Sequence, residues 1–231
     1  MLDLSKIKAI SFDLDDTLWP VWPTIAKAEQ ALIGWFEANA PEAARLSSDR
    51  ELIKRIRRDV HADHPDRSHA LGWLREEAIR RLLLQAGHDP TLAPAAFGVF
   101  WTARQSVDFY PDSLPALSHL SARMPLVALS NGNADIHRVG IGHCFAARIW
   151  AQDAGVAKPD VRIFKQAADA LGLPMAAILH VGDDAQHDVI GALDAGMQTV
   201  WVNRQGLAWP VAERAPHVEV RDLAKLCHFW P

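Results

Sequence analysis

The chain has 231 residues, 49% apolar and 23% charged, so it can bury a core and is not a disordered segment. Its 24 bases and 28 acids give a formal charge of -4, which argues against nucleic-acid binding by bulk electrostatics. No apolar run approaches the roughly 18 residues of a membrane span. Met1 to Lys6 carries no signal-peptide pattern, and Cys144 and Cys227 make neither a disulfide framework nor a zinc spacing. These features predict a cytoplasmic globular protein with no membrane or nucleic-acid partner. Nine tryptophans stand against the single Tyr110, an imbalance that composition alone does not explain.

Ile7 to Phe12 reads as a short buried strand that stops at the acidic cluster Asp13-Leu14-Asp15-Asp16-Thr17. Residues 18–108 change character. Ile25, Ala28, Leu32, Trp35 and Phe36 recur at helical spacing, and Ser47-Ser48-Asp49 offers an N-cap for a helix with Leu52, Ile53, Ile56 and Val60. Leu71, Leu74, Ala78 and Leu82 form a third stripe, and Leu92, Ala96, Val99 and Phe100 a fourth. Four amphipathic helices without a strand between them predict a small helical bundle.

Beyond Pro111 strands and helices alternate. A helix through Leu114, Leu117 and Leu120 leads to a strand Leu126–Leu129, ending at Ser130. Arg148–Trp150 is a further short strand, Pro159 opens a helix, and Ile178–Val181 ends at Gly182-Asp183. A helix over about 186–195 and a strand Thr199–Val202 complete the pattern, while 203–217 reads as a loop. This alternation predicts an α/β core, a Rossmann-like parallel sheet with helices on both faces. The expected core is 1–17 with 109–231, and 18–108 is an inserted four-helix cap.

The polar groups collect at predicted strand ends: Asp13 and Asp15, then Ser130, then Asp183. In open α/β sheets that edge is where ligands bind. Packed carboxylates repel unless one is protonated or a cation holds them. Asp13, Asp15 and Asp183 supply hard oxygen ligands, which suit Mg²⁺. A hydroxyl from Ser130 and an ammonium from Lys158 add donors for an anionic group. Each of these alone reads as a turn or a cap; their order along the chain describes a phosphoryl-transfer site.

Asp13-Leu14-Asp15-Asp16-Thr17-Leu18, Ser130-Asn131-Gly132, Lys158-Pro159 and Gly182-Asp183 through Asp188 together resemble the four motifs of the haloacid dehalogenase superfamily. The helical insertion is similar to the four-helix cap of one branch of that superfamily. The resemblance implies that Asp13 is the nucleophile and Asp15 the general acid and base. It implies Mg²⁺ held by Asp13, Asp183 and the main-chain carbonyl of Asp15, with Ser130 and Lys158 on the phosphoryl oxygens. Asp188 would support the metal or Lys158, Asp184 would stand second to Asp183, and Thr17 and Asn131 would add phosphate-binding donors. Dehalogenases expel halide from carbon and need no proton donor, so Asp15 and Asp183 favour phosphate chemistry. The expected partner is therefore a small-molecule phosphomonoester.

The segments Pro125–Ala134 and Ile178–Asp184 are similar to bacterial members acting on 5-amino-6-(5-phospho-D-ribitylamino)uracil and FMN. A promiscuous nucleotide or sugar-phosphate phosphatase is the alternative, ahead of a phosphomutase, a dehalogenase or a non-catalytic phosphate binder. Trp19 and Trp22 either pack the chain after the acidic loop or stack on a flat substrate ring. Trp73 and Trp101 are further candidate substrate contacts. Counted over 18–108, 12 bases balance 12 acids, so the whole acidic excess lies outside the insertion, where Asp13, Asp15, Asp16, Asp183, Asp184 and Asp188 lie.

Overall fold

The computed structural model describes residues 2–231 and divides into two compact units. The first comprises the chain up to Pro20 and Asp108–Pro231; the second is Val21–Val107. Among the described residues, no helix is long and apolar enough to cross a membrane.

The first unit is built on six parallel strands: β1 (Ala9–Phe12), β2 (Leu126–Ser130), β3 (Ala147–Trp150), β4 (Ile178–Gly182), β5 (Gln198–Val202) and β6 (Val218–Val220). Their order is β3-β2-β1-β4-β5-β6. Every residue of β1, β2, β4 and β5 is buried. Successive side chains point to opposite faces, so such strands are covered on both sides, which is why they read as unbroken apolar runs. From β1 the chain moves outward to β2 and β3, then returns to lay β4, β5 and β6 on the other side. The switch point therefore lies between β1 and β4, and the carboxyl ends around it are those of the acidic strand ends.

The second unit holds α1 (Val21–Asn39), α2 (Pro41–Ser47), α3 (Arg50–Asp63), α4 (Leu71–Gln85) and α5 (Ala93–Arg104). Thr24, Ala28, Leu32 and Phe36 form the buried stripe of α1. Ala28, Leu32 and Phe36 pack in one core with Ile56 and Val60 of α3, Leu74 and Leu82 of α4, and Phe100 of α5. Asp49 caps α3 by accepting from the Glu51 and Leu52 amides. The four long helices carry the four apolar stripes; the short α2, opened by Pro41, was not legible as a separate helix.

Five more helices complete the first unit: α6 (Ser113–Ser121), α7 (Ala151–Ala154), α8 (Val161–Leu171), α9 (Gly191–Asp194) and α10 (Leu223–Cys227). Ile163, Phe164, Ala167 and Ala168 of α8 pack against Val127 and Leu129 of β2 and Ile178 of β4. The single helix expected over 186–195 is instead a π-helical turn, Ala185–Ile190, running into α9. Both β6 and α10 follow the segment read only as a loop.

Candidate active site

The ends of β1 and β4 and the turn that follows β4 bring the acidic groups together. The Asp13 amide still donates to the Val181 carbonyl at 2.9 Å, so β1 stays in register with β4 up to its last polar residue. Beyond it the chain turns through Asp16, whose φ of 57° is left-handed, and the Leu18 amide closes on the Leu14 carbonyl at 2.7 Å. Asp is one of the few non-glycine types that tolerates that conformation.

Lys158 lies between two carboxylates. Its Nζ is 2.6 Å from Asp13 Oδ1 and 2.6 Å from Asp188 Oδ1, and all three side chains are buried. Asn131 fixes the lysine's backbone by a reciprocal pair, accepting from the Lys158 amide at 2.8 Å and donating to its carbonyl at 3.0 Å. The ammonium meets both carboxylates at the same distance, and they differ in their other donors. Asp188 has further donors, the Asp184 amide at 2.9 Å and His180 Nε2 at 3.3 Å. Burial would raise its pKa, but the charge of Lys158 and the hydrogen bond from His180 hold it below the usual carboxylate range. Burial likewise opposes the charge on Lys158, and the two carboxylates overrule it, raising the ammonium's pKa.

Asp188 reaches this position through local geometry. The π turn adds an Asp184 carbonyl to Val189 amide bond of 3.2 Å, and such turns widen a helix by one residue. Gly182 lacks the Cβ that would overlap the Asp188 carboxyl. Neutral His180 is satisfied when Ser11 Oγ donates to its Nδ1 at 2.7 Å and its Nε2 donates to Asp188.

Asp13 and Asp183 stand at the opposite extreme. Burial, with Asp188 and Asp15 nearby, raises Asp13 to about 7 despite Lys158. Burial and the charges of Asp13 and Asp188 push Asp183 up to about 9. Oxygens of Asp13, Asp183 and Asp188 lie within 4.8 Å of one another. A buried and a half-buried carboxylate short of positive charge, presenting hard oxygens, fit a divalent cation. Asp188 already spends both oxygens on protein donors, which leaves Asp13 and Asp183 as the two to hold it.

Some of the remaining candidates are committed to other partners and some are not. Thr17 was expected to bind phosphate; it is fully buried and donates to Asp183 Oδ1 at 3.1 Å, orienting that carboxylate. Asn131 was expected there too, but its amide is committed to Lys158. Asp184 points its carboxylate at the Gln186 and His187 amides, capping the π turn, and so is not turned toward the cluster. Ser130 is buried at the end of β2; its Oγ accepts from the Gly132 amide at 3.0 Å and retains its own proton to donate. Trp19 has no exposed face and cannot stack on a substrate ring; its Nε1 donates to Asp15 Oδ1 at 2.8 Å. Trp22, Trp73 and Trp101 belong to the second unit. There Trp22 is 76% exposed, and Trp73 packs against the helical core beneath Arg67.

Three residues that sequence reading missed complete the surroundings. Trp201 Nε1 donates to the Asp183 carbonyl at 2.7 Å. Arg204 binds the Thr17 carbonyl and, in turn, both carboxylate oxygens of Asp112. Only the end of a predicted strand could have flagged Trp201; nothing marked Arg204 or Asp112.

The doubly wound parallel sheet thus gathers a buried aspartate, the lysine bound to it and a second pair of aspartates at its switch point. The profile of the haloacid dehalogenase-like hydrolases matches residues 7–196. The 5-amino-6-(5-phospho-D-ribitylamino)uracil phosphatase YigB of Escherichia coli K12 is 33% identical over 96% of each chain. A phosphoserine phosphatase of Thermus thermophilus is 34% identical over 67% of this chain and 64% of its own. Among solved structures, a 2-haloacid dehalogenase from Pseudomonas syringae superposes with a TM-score of 0.90 at 36% identity, covering 96% of this chain and 97% of that one. The chain belongs to the haloacid dehalogenase-like hydrolase family. The two curated relatives are phosphatases and the solved structure is a dehalogenase.

Proposed function

We propose a Mg²⁺-dependent phosphomonoesterase of the cytoplasm that works through an aspartyl-phosphate and acts on 5-amino-6-(5-phospho-D-ribitylamino)uracil or FMN. The observation that carries the reading is Asp13, held by Lys158 at 2.6 Å and clustered with Asp183. In the first half-reaction an Asp13 oxygen bonds to phosphorus while the bond from phosphorus to the substrate oxygen breaks. Asp15 gives its proton to that leaving oxygen. In the second, water bonds to phosphorus, returns a proton to Asp15, and the acyl-phosphate bond breaks to free Asp13 and orthophosphate. Ser130 and Lys158 donate to the phosphoryl oxygens. Mg²⁺ held by Asp13, Asp183 and the Asp15 carbonyl would offset the repulsion between anionic nucleophile and anionic substrate, about 4 kcal/mol at 4 Å and an effective dielectric near 20. Residues 1–17 and 109–231 would form this catalytic core and 18–108 the cap that selects the substrate.

The substrate assignment draws support from the likeness to YigB across nearly the whole chain. The dehalogenase reading draws on the equally extensive likeness to the Pseudomonas syringae structure. Asp15 separates the two, because halide expulsion needs no proton donor, whereas an alkoxide leaving group does.

The purified protein should hydrolyse an aryl phosphate with Mg²⁺ and lose that activity in EDTA or as Asp13→Asn. Halide release from 2-chloropropionate without phosphate ester hydrolysis would replace the phosphatase reading. In a panel of phosphate esters, preference for sugar phosphates or nucleotides over FMN and the ribityl-pyrimidine would refute the substrate.

A further inference from the structure

Trp19 is fully buried, and its indole N–H donates to Asp15 Oδ1 at 2.8 Å. The same pair is tied along the backbone, where Asp15 and Trp19 form an isolated parallel bridge and the Asp16 amide donates to the Trp19 carbonyl at 2.7 Å. The ring is fixed from the outside as well. It meets Phe109 edge-on with centroids 5.5 Å apart, and the preceding Leu18 carbonyl accepts from the Tyr110 amide at 3.0 Å and from Ser113 Oγ at 2.7 Å. The other carboxyl oxygen, Asp15 Oδ2, faces Gly132, where a Cβ would lie 2.5 Å from it. The indole is a donor without an acceptor lone pair, so the oxygen it binds stays an acceptor whether or not the carboxyl is protonated.

We propose that Trp19 is the positioning residue of the acid–base carboxyl, occupying Asp15 Oδ1 throughout the cycle so that the transferred proton travels on Oδ2. This deepens the reading of Asp15 given above and rests on it. In the first half-reaction the Oδ2–H bond breaks, leaving its electron pair on Oδ2, and a new O–H bond forms on the leaving oxygen, which keeps the pair of the broken phosphorus–oxygen bond. Water's proton returns to Oδ2 in the second. An acid whose Oδ1 already accepts from a fixed donor carries its proton preferentially on Oδ2 and is oriented before substrate arrives, which is where much of the benefit of a placed acid lies.

Leaving groups separate this role from a merely structural one. An alkyl phosphate needs its leaving oxygen protonated; 2,4-dinitrophenyl phosphate expels a stable phenolate and does not. The ratio kcat/KM reports only the first half-reaction, so the return of the proton from water does not mix in. Trp19→Phe should lower kcat/KM at least about tenfold on an alkyl phosphate such as FMN, and by less than about twofold on the dinitrophenyl ester. Replacing Trp19 by 3-benzothienylalanine, which exchanges N–H for sulfur at nearly constant shape, should give the same selective loss, and it decides the matter if the phenylalanine variant does not fold. Equal losses on both esters, or no loss on either, overturn the proposal. If Asp15→Asn leaves the ratio between the two esters as in the wild type, Asp15 is not the acid, and the underlying reading fails instead.

Discussion

Arg204 reaches across 187 residues to donate from Nε and Nη2 to the carbonyl of Thr17, at 3.2 and 2.8 Å. The same guanidinium pairs with both oxygens of Asp112 at 3.0 and 2.9 Å and lies 3.9 Å over the Tyr110 ring. Asp112 also accepts from the Leu223 amide at 2.6 Å. The acidic loop is thus fastened through its own backbone to the start of α6 and to α10, by a side chain with no contact to the carboxylate cluster among its hydrogen bonds.

Arg204→Lys keeps the charge but loses the planar fork that reaches a carbonyl and a carboxylate together. Melting should fall by about 3–6 °C, the loss of one to two kcal/mol in a domain of this size. Turnover should drop with KM little changed, since the residue shapes the loop and not the phosphate contacts. A variant with wild-type melting and turnover would show that the loop holds its form unaided.

Lys158→Met removes the ammonium but keeps most of the side chain's volume. Asp13 and Asp188 would then face each other buried and uncompensated, and breaking a buried pair costs about 3–5 kcal/mol. Phosphatase activity should fall by at least about 10²-fold, the usual scale for deleting one preorganised donor to a transition state. Calorimetry beside steady-state kinetics checks both; retention of either property contradicts the clamp described here.

Thr17→Val deletes the hydroxyl that donates to Asp183 at little change in shape. If Asp183 holds Mg²⁺, the concentration of Mg²⁺ giving half-maximal activity should rise by roughly 10- to 100-fold, the penalty typical of losing a group that orients a metal ligand. Saturating Mg²⁺ should restore most of the rate. An unchanged activation curve with a depressed maximum would instead place Thr17 on the substrate side.

In the second unit, hydrogen bonds from Arg80 and Arg81 hold the Glu77 carboxyl at about 2 against burial. A carboxyl depressed in the folded state stabilises it above its unfolded value near 4.5, and that contribution fades as pH falls toward 2. Arg80 is partly exposed, so solvent screening reduces the effect at pH 7 to on the order of 1–2 kcal/mol. Glu77→Gln should therefore melt lower than wild type at pH 7, and the gap should shrink by about half by pH 3. A gap independent of pH would mean that packing, not charge, sets the difference.

Much of the core was legible because its strands are covered on both faces. Ile10, Phe12, Val127, Leu129, Leu179 and Val181 need no alternation, so each strand reads as a continuous apolar run with a polar stop. Those stops are what drew attention to Asp13, Ser130 and Asp183, and the structure brings them to one edge of the sheet. The edge strand β6 and the helix α10 carried no such signal: three residues and five are too short for a period to show. The tryptophan excess was visible but not its use. Trp19 and Trp201 turn their indole N–H groups on Asp15 and on the Asp183 carbonyl, and neither direction follows from spacing.

Fold class, family and the acidic residues at strand ends can be read from the sequence, since burial and strand termination are local and leave a local pattern. Tertiary structure alone decided what each polar group is spent on. Thr17 and Asn131 are consumed by Asp183 and by the Lys158 backbone, Asp184 by a helix turn, and Arg204 by a carbonyl 187 residues away. A hydrogen bond is satisfied by whichever partner lies within about 3 Å, and which partner that is depends on segments the chain brings together only when it folds.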